Sequence, residues 1–438
     1  MNYFEELDYL EKIKKFGNKL GLERINKLCS SMGNPQDKLK VIHIAGTNGK
    51  GSVAACLLSI LMEAGLKVGF FTSPALERFT ERIRINQEEI SRLDTAKYLG
   101  EVREFCEKQV KEGLEHPLEF EMITAAALKY FYDKKVDIAI LEVGLGGRLD
   151  STNVVTPCLS IITSISYDHM NILGNTLTQI TSEKAGIIKE GVTVVSYPQL
   201  GEAYDVIKET CALKHCKLVN VPGSAGKYLG TVEYEKHLLQ SVMIKASDEE
   251  YLFSTKLLGT YQIKNMSTAV FAAREINLLG VTVSHKNIID GLNNVSWPGR
   301  LEVLGFSPYI VLDGAHNIDG IYKLKQSLEK YFKYRNLYLI FGVLKDKEVE
   351  KMVEVISPIA KKMICLTPNN ERAEDIKLLL EIVKKYNVNC ISETDYEMAI
   401  KTSLKWSGQK DLILVCGSLY MIGDMRKIII KLKKDNLI

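Results

Sequence analysis

No stretch of the 438 residues approaches the roughly 18 uninterrupted apolar positions that a membrane-spanning helix needs. The first segment, Met1 to Lys15, is charged and amphipathic, and it has no apolar core of the kind a secretory signal carries. Neither sign of charge is in real excess: 57 basic and 54 acidic residues leave a formal net charge of +3. So even a balance gives no general footprint for nucleic acid or for a membrane surface. The nine cysteines form no C-x-x-C pair, and their number is odd. Cys56 and Cys416 lie inside apolar runs. Cys211, His215 and Cys216 are close in sequence, but a structural zinc needs four ligands at recognised spacing. Free thiols in a reducing compartment are therefore expected, and the chain is expected to be cytoplasmic. Internal repeats and low-complexity tracts are also missing.

What is present is an ordinary globular composition, 46% hydrophobic and 25% charged, at a length that favours two domains. Val41 to Ala45 predicts a strand, Gly46 to Gly51 a glycine-rich loop, and Ser52 to Ala64 a buried helix stopped by Gly65. Further strands are expected at Val68 to Phe71, Val136 to Val143 and Leu159 to Ile165. Helices are expected over Ser91 to Glu112 and Glu119 to Tyr132. This alternation predicts an α/β, doubly wound domain. The stretch from Val192 to Lys256 has short alternating runs, which predict a small antiparallel sheet appended to that domain. Trp297-Pro298-Gly299-Arg300 interrupts helix and strand alike and marks the boundary between residues 1–297 and 298–438. Beyond it, strands are expected at Tyr309 to Leu312, Leu337 to Phe341, Lys362 to Leu366, Asn389 to Ser392 and Asp411 to Val415. A helix follows each, which predicts a smaller C-terminal Rossmann-like α/β domain.

The segment Gly46-Thr47-Asn48-Gly49-Lys50-Gly51-Ser52 leaves a strand and enters a helix. Glycines let backbone N–H groups turn toward phosphate oxygens, and the helix N-terminus adds partial positive charge. Lys50 adds a full charge for the outer phosphates. The strict pattern G-x-x-x-x-G-K-[ST] is not met: Ile44 stands five before Gly49, and Gly51 separates Lys50 from Ser52. A generic P-loop ATPase or switch is thereby weakened. An NAD oxidoreductase, suggested by Gly144, Gly146 and Gly147, fails because Leu149 stands where the third glycine is required.

The string GTNGKGS resembles a ligase family that includes the muramyl ligases and, through the inserted Gly51, its folate branch: folylpolyglutamate synthase and dihydrofolate synthase. More strings resemble that branch in the same order. They are Phe71-Thr72-Ser73-Pro74, Thr80 to Asn86, Leu141 to Asp150, Asp168-His169, Glu183 to Lys189, Tyr261-Gln262 with Asn265, Arg300-Leu301-Glu302, Asp313 to Asn317 and Gly417 to Tyr420. The muramyl branch resembles the chain less, because it carries a nucleotide-sugar domain before the loop, where this sequence has only about 40 residues.

The resemblance implies an ATP-dependent ligase joining L-glutamate to a folate or pteroate carboxylate through an acyl phosphate. It implies ATP bound at Gly46 to Ser52, with Asn265 on the adenine side and Arg300 and Asp313 toward the nucleotide. Two Mg²⁺ sites are implied on Ser73, Glu142 and His169, and oxygen ligands suit that ion. Lys184 is implied to be carbamylated, since an ammonium beside metal ions would be repelled. Lys50, Lys184, His316 and Arg300 carry the catalytic roles, and Arg82, Glu121, His316 and Ser418 line the substrate site. Lys345-Asp346-Lys347 is a weaker lining candidate. Closure about Trp297 to Arg300 is expected to exclude water from the acyl phosphate. The protein is expected to act as a monomer, with no nucleic-acid or membrane partner. Ala75, Gln87 and Ile318-Asp319 depart from the commonest family pattern, and the first two leave pterin selectivity open. A relative that acts on a different carboxylate remains the main rival reading.

Overall fold

The computed structural model describes residues 2–14 and 21–435, so Met1 and Lys15, the ends of the expected amphipathic segment, lie outside the described residues. Asn2 caps the helix Tyr3–Ile13 by accepting from Phe4 N, and Leu10 and Ile13 are buried. Among the described residues, no helix is long and apolar enough to cross a membrane.

The chain divides into two compact units. One comprises Met1–Ala225, Ile244–Tyr251 and Lys264–Leu292; the other comprises Gly226–Met243, Leu252–Ile263 and Asn293–Ile438. The strands of the first unit are β1 (Val41–Ala45), β2 (Val68–Phe71), β3 (Ile83–Ile85), β4 (Glu88–Glu89), β5 (Ile138–Glu142), β6 (Leu159–Ile162), β7 (Thr193–Ser196) and β8 (Leu218–Asn220). They form one sheet in the order β4-β3-β2-β5-β1-β6-β7-β8. The run from β2 to β8 is parallel, and β3 and β4 extend it as antiparallel edge strands. β1, β2, β5 and β6 are buried at every position, as strands covered on both faces must be. The helix Lys50–Glu63 is buried from Gly51 to Leu61, which is why its sequence shows no polar stripe.

Val192 to Tyr197 does not join an appended sheet: it contains β7, which runs parallel beside β6. Val194 and Val195 are both fully buried, so the apparent alternation came from Thr193 at the strand start and Ser196 at its end. A separate three-stranded sheet does exist, in the order β11-β10-β9, from β9 (Gly226–Tyr234), β10 (His237–Ala246) and β11 (Glu249–Thr255). In β10 and β11 every second residue is buried, the signature of a sheet with one covered face.

The second unit holds a six-stranded sheet in the order β12-β13-β17-β14-β15-β16. Its strands are β12 (Glu302–Phe306), β13 (Tyr309–Leu312), β14 (Leu337–Phe341), β15 (Lys362–Cys365), β16 (Cys390–Ser392) and β17 (Leu412–Cys416). The five expected strands are present, parallel, and each is followed by a helix. β12 was not anticipated. It is an antiparallel edge strand, half-buried throughout, with a register shift between Val303 and Gly305 that breaks its period. The core of this unit gathers Val311, Leu324, Leu339, Val353, Leu379 and Leu414.

Candidate functional site

In the first unit β2, β5, β1 and β6 are neighbours, and their carboxyl ends carry most of the candidates. Such an edge is where open α/β sheets bind ligands. The Gly46–Ser52 loop follows β1. Ser73 lies two residues past β2, Glu142 ends β5 in register with Ile44, and His169 follows β6.

The loop geometry explains its glycines. Gly46 has φ +152° and Gly49 φ +89°; a Cβ would lie 1.9 Å from Thr163 Oγ1 at the first and 2.5 Å from Asn265 Oδ1 at the second. Asn265, buried on the helix Thr260–Leu278, therefore lies directly over the loop. The backbone amides are not all turned inward as expected. Thr47 N and Asn48 N both donate to Ser164 O, at 2.8 and 3.2 Å. Thr47 Oγ1 donates to Ser166 O at 3.0 Å, and Asn48 Nδ2 donates to Ser166 Oγ at 3.3 Å. The strap 163–166 thus takes two amides that the motif alone assigned to phosphate. The first intrahelical bond runs from Val53 N to Gly49 O, so Lys50, Gly51 and Ser52 form the first turn of the helix. Those three are the donors a helix N-terminus presents to an anion.

Two lysines converge on one carbonyl. Lys50 Nζ donates to Gly46 O at 3.1 Å and to Thr47 O at 3.3 Å. Lys184 Nζ, from the helix Leu177–Ala185, donates to Gly46 O at 2.9 Å. Lys184 is 4% exposed. Burial pulls its amine down to about 7, and the charge of Lys50 acts in the same direction.

Glu142 is 5% exposed, and Thr72 Oγ1 donates to its carboxylate. Ser73 is the next residue. His169 sits at φ +50°, with Nε2 3.9 Å from Asp168 Oδ1. Among the described residues no cluster of three or more His, Cys, Asp and Glu side chains forms a cation site. Any cation here would need the Ser73 hydroxyl as well.

The substrate candidates divide. Arg82 Nε is buried without a hydrogen-bond partner, and its guanidinium lies 5.8 Å from the Phe79 ring centre. Glu121 is already engaged: it accepts from Leu118 N at 2.7 Å and from Arg24 Nε at 3.0 Å, and its other oxygen lies 3.0 Å from Arg24 Nη2. It caps its helix and holds Arg24, a residue the sequence did not single out.

A buried chain of hydrogen bonds supports the sheet edge. Asp150 accepts from Leu145 N at 2.9 Å and from Thr152 Oγ1 at 2.5 Å. Thr152 Oγ1 in turn lies 2.8 Å from His43 Nε2. Because the Thr152 proton goes to Asp150, His43 must donate through Nε2. Its Nδ1 is unpartnered, and burial drives the imidazole down to about 3. Thr152 and Thr163 carry no motif signal; only their contacts reveal them.

The second unit brings its own group together. Asp313, directly after β13, is 3% exposed. Its Oδ2 accepts from Leu301 N at 2.8 Å and Tyr261 Oη at 3.0 Å, and its Oδ1 accepts from Ala315 N at 2.8 Å. Burial raises its pKa, against Arg300 and these donors. Arg300 Nη1 lies against Gly314, where a Cβ would come within 2.0 Å. His316 Nδ1 lies 2.7 Å from Gly314 O, so Nδ1 carries the proton in the neutral ring and Nε2 is the basic nitrogen. Ser418 is 1% exposed, precedes the helix Leu419–Lys434, and its Oγ has no partner. Lys345 and Asp346 are tied to a neighbouring loop: Lys345 N donates to Arg372 O at 2.9 Å, and Asp346 pairs with Arg372 at 3.4 Å.

Two family descriptions match the chain: the Mur ligase middle domain over residues 44–273, and the Mur ligase glutamate ligase domain over residues 299–419. A curated relative from Bacillus subtilis, named dihydrofolate synthase/folylpolyglutamate synthase, is 38% identical over 418 residues, covering 94% of this chain and 96% of its own. The crystal structure of Mycobacterium tuberculosis folylpolyglutamate synthase complexed with ADP and AMPPCP superposes with a TM-score of 0.88 at 27% identity, covering 98% of this chain and 99% of that one. The Escherichia coli FolC structure in complex with DHPP and ADP superposes with a TM-score of 0.86 at 28% identity, over 99% of each chain.

Proposed function

We propose the following residue roles from the premise that this chain belongs to the folylpolyglutamate synthase and dihydrofolate synthase branch of the Mur ligases. It is an ATP-dependent ligase that adds glutamate to a folate. Its substrates are a tetrahydrofolyl (poly)glutamate and, as the paired name of the B. subtilis relative and the DHPP-bound E. coli structure support, also dihydropteroate. Residues 1–297 are the ATP-binding domain and 298–438 the glutamate ligase domain. The protein acts in the cytoplasm as a monomer.

A carboxylate oxygen of the pteroyl substrate attacks the γ-phosphorus of ATP, and ADP departs. The glutamate nitrogen then attacks the acyl carbon and loses a proton, phosphate leaves, and an amide remains. Negative charge gathers in both steps, so cations and oriented N–H groups do most of the work. The first-turn amides of Lys50, Gly51 and Ser52, with the Lys50 ammonium, cradle the phosphates. Asn265 holds the loop from above and reaches the adenine side. Arg300 neutralises the transferring phosphoryl group, and Asp313 sets its loop. Arg82 takes a carboxylate of the folate, and Glu121 orients that wall through Arg24.

His316 presents Nε2 as the base for the glutamate nitrogen. Ser418 Oγ, buried and unpartnered at the start of a 16-residue helix, receives a glutamate carboxylate. Ser73, Glu142 and His169 would hold Mg²⁺. The fit is sound: a buried carboxylate and a neighbouring hydroxyl stand at one sheet edge beside the loop strand. The ion would supply charge neutralisation on the phosphates.

The observation that carries this reading is Lys184 on Gly46 O. A buried amine that titrates near neutrality is in part unprotonated at physiological pH. It can attack CO₂ through nitrogen, lose a proton, and become the carbamate that the family resemblance implies. The test is steady-state ADP release with dihydropteroate and with tetrahydrofolate, each with and without glutamate. ADP release that requires glutamate and either pteroyl acid is expected. Release indifferent to both would reject the reading.

A further inference from the structure

Arg300 sits in a turn that its sequence does not favour. Leu301, the residue after it, has φ +46°, the left-handed region in which a branched side chain is strained. Leu301 is also fully buried in the core of its unit, so the strain is not relieved by moving into solvent. Such a conformation persists only where the surroundings impose it.

Here two carboxylates impose it, one on each side of Arg300. Glu302 accepts from Gly299 N at 2.8 Å and is itself held by Arg426 Nε at 2.9 Å. Asp313 accepts from Leu301 N at 2.8 Å. Its other oxygen takes Ala315 N, the amide next to His316. One carboxylate therefore joins the Arg300 turn to the His316 turn. Gly314 N also donates to Gly299 O at 2.9 Å, so the two turns are paired through backbone as well.

The donor that holds Asp313 from the third side is Tyr261 Oη, at 3.0 Å. Tyr261 lies next to Gly259, whose φ is +122°, and a Cβ there would meet the Tyr261 ring at 2.9 Å. The ring therefore lies close over the Gly259 backbone, where a side chain would displace it. The charged and titratable groups facing this carboxylate are Arg300, Tyr261 and Cys416, with Tyr331 behind Tyr261.

We infer that Tyr261 is a positioning residue for the ligase reaction, acting on Arg300 and His316 through the Asp313 carboxylate rather than by touching substrate. The inference rests on the roles proposed above for Arg300 and His316. A hydrogen bond to an ionised carboxylate is a strong one, and it stabilises the charged form. Without the phenol, Asp313 would protonate at higher pH, and its grip on both turns would loosen together.

The experiment compares wild type, Tyr261→Phe, Asp313→Asn and the double variant. Each is assayed for glutamate-dependent ADP release from pH 5.5 to 9, and for thermal midpoint and ADP affinity. Tyr261→Phe keeps the ring and removes one oxygen. Its kcat is expected to fall about tenfold, the loss typical of one charged hydrogen bond. Its thermal midpoint and ADP affinity stay near wild type, and the acid limb of its kcat profile moves to higher pH. The double variant falls no further than Asp313→Asn alone, because Tyr261 acts through that carboxylate.

A Tyr261→Phe enzyme with wild-type kcat and an unmoved acid limb would overturn the inference. So would losses that multiply in the double variant. Wild-type activity separates the two readings: no glutamate-dependent turnover at all would fail the proposed function, whereas a failed ratio between variants fails only the role of Tyr261.

Discussion

Lys184 Nζ donates a 2.9 Å hydrogen bond to Gly46 O, placing a buried amine against the backbone of the phosphate loop. The amine titrates at about 7 in the fold, against 10.5 for an unburied lysine. Between those values the unfolded chain holds one more proton than the folded one. Stability therefore rises with pH across that window; below it the full cost of burying the charge is present. Lys184→Met removes that cost and loses one hydrogen bond of about 1 kcal/mol. In CO₂-free buffer, urea unfolding should show the variant more stable than wild type by a few kcal/mol at pH 6.5, and by much less at pH 9.5. Equal differences at both pH values would mean that the amine is not buried as described. The same variant should lose most of its ligase activity, and ¹³C-enriched CO₂ should label wild type and not the variant.

Gly49 should not tolerate a side chain. Its φ is +89°, and a Cβ would lie 2.5 Å from Asn265 Oδ1. Gly65 has a similar φ of +81° with nothing within 4 Å. Both Gly→Ala changes carry a conformational cost of about 1 kcal/mol. Only Gly49→Ala should also weaken ADP binding, by more than about tenfold, because it moves the loop. Calorimetric titration of ADP against the two variants decides this; comparable affinities would remove the loop from the nucleotide site.

Glu142→Gln keeps the shape of the side chain at the end of β5 and can still accept from Thr72. It removes the charge. Glutamate-dependent ADP release should fall by about a hundredfold, and the Mg²⁺ concentration needed for half-maximal rate should rise. The thermal midpoint should hold or increase, since a buried carboxylate is costly. An unchanged Mg²⁺ dependence would take Glu142 out of the cation site.

His43 makes acid sensitivity measurable. Its imidazole titrates at about 3 in the fold against 6.5 in an exposed setting. In that interval the unfolded chain holds the extra proton, so stability falls as pH drops from 6.5 toward 3. His43→Gln retains an N–H for Thr152 and cannot be protonated. Between pH 6.5 and 4 it should lose about 3 kcal/mol less stability than wild type. Parallel losses in both proteins would assign acid unfolding to the carboxylates alone.

The sequence by itself determined the periods and the loop. Runs such as Val41 to Ala45, apolar but for His43, and Leu337 to Phe341 show no polar alternation, so they must be covered on both faces, and parallel α/β architecture follows. Gly46, Gly49 and Lys50 between strand and helix announce a phosphate site because few other uses need those residues in that order. Short-range alternation was a poorer guide. The alternation over Val192 to Tyr197 suggests an appended antiparallel sheet, although its neighbours in the parallel sheet bury Val194, Val195 and Ser196.

Contacts between residues far apart in the chain were decided only in three dimensions. Thr47 and Asn48 spend their amides on Ser164, 117 and 116 positions onward, a choice no local pattern records. The Glu121 oxygens are already occupied by Arg24, and Asp313 ties Leu301 N in the strained turn to Ala315 N in the next one. Lys184 is unremarkable as a letter on a helix. Its lowered affinity for a proton arises from the removal of water around it and from Lys50 across the same carbonyl, and desolvation is a property of the folded surroundings rather than of the residue.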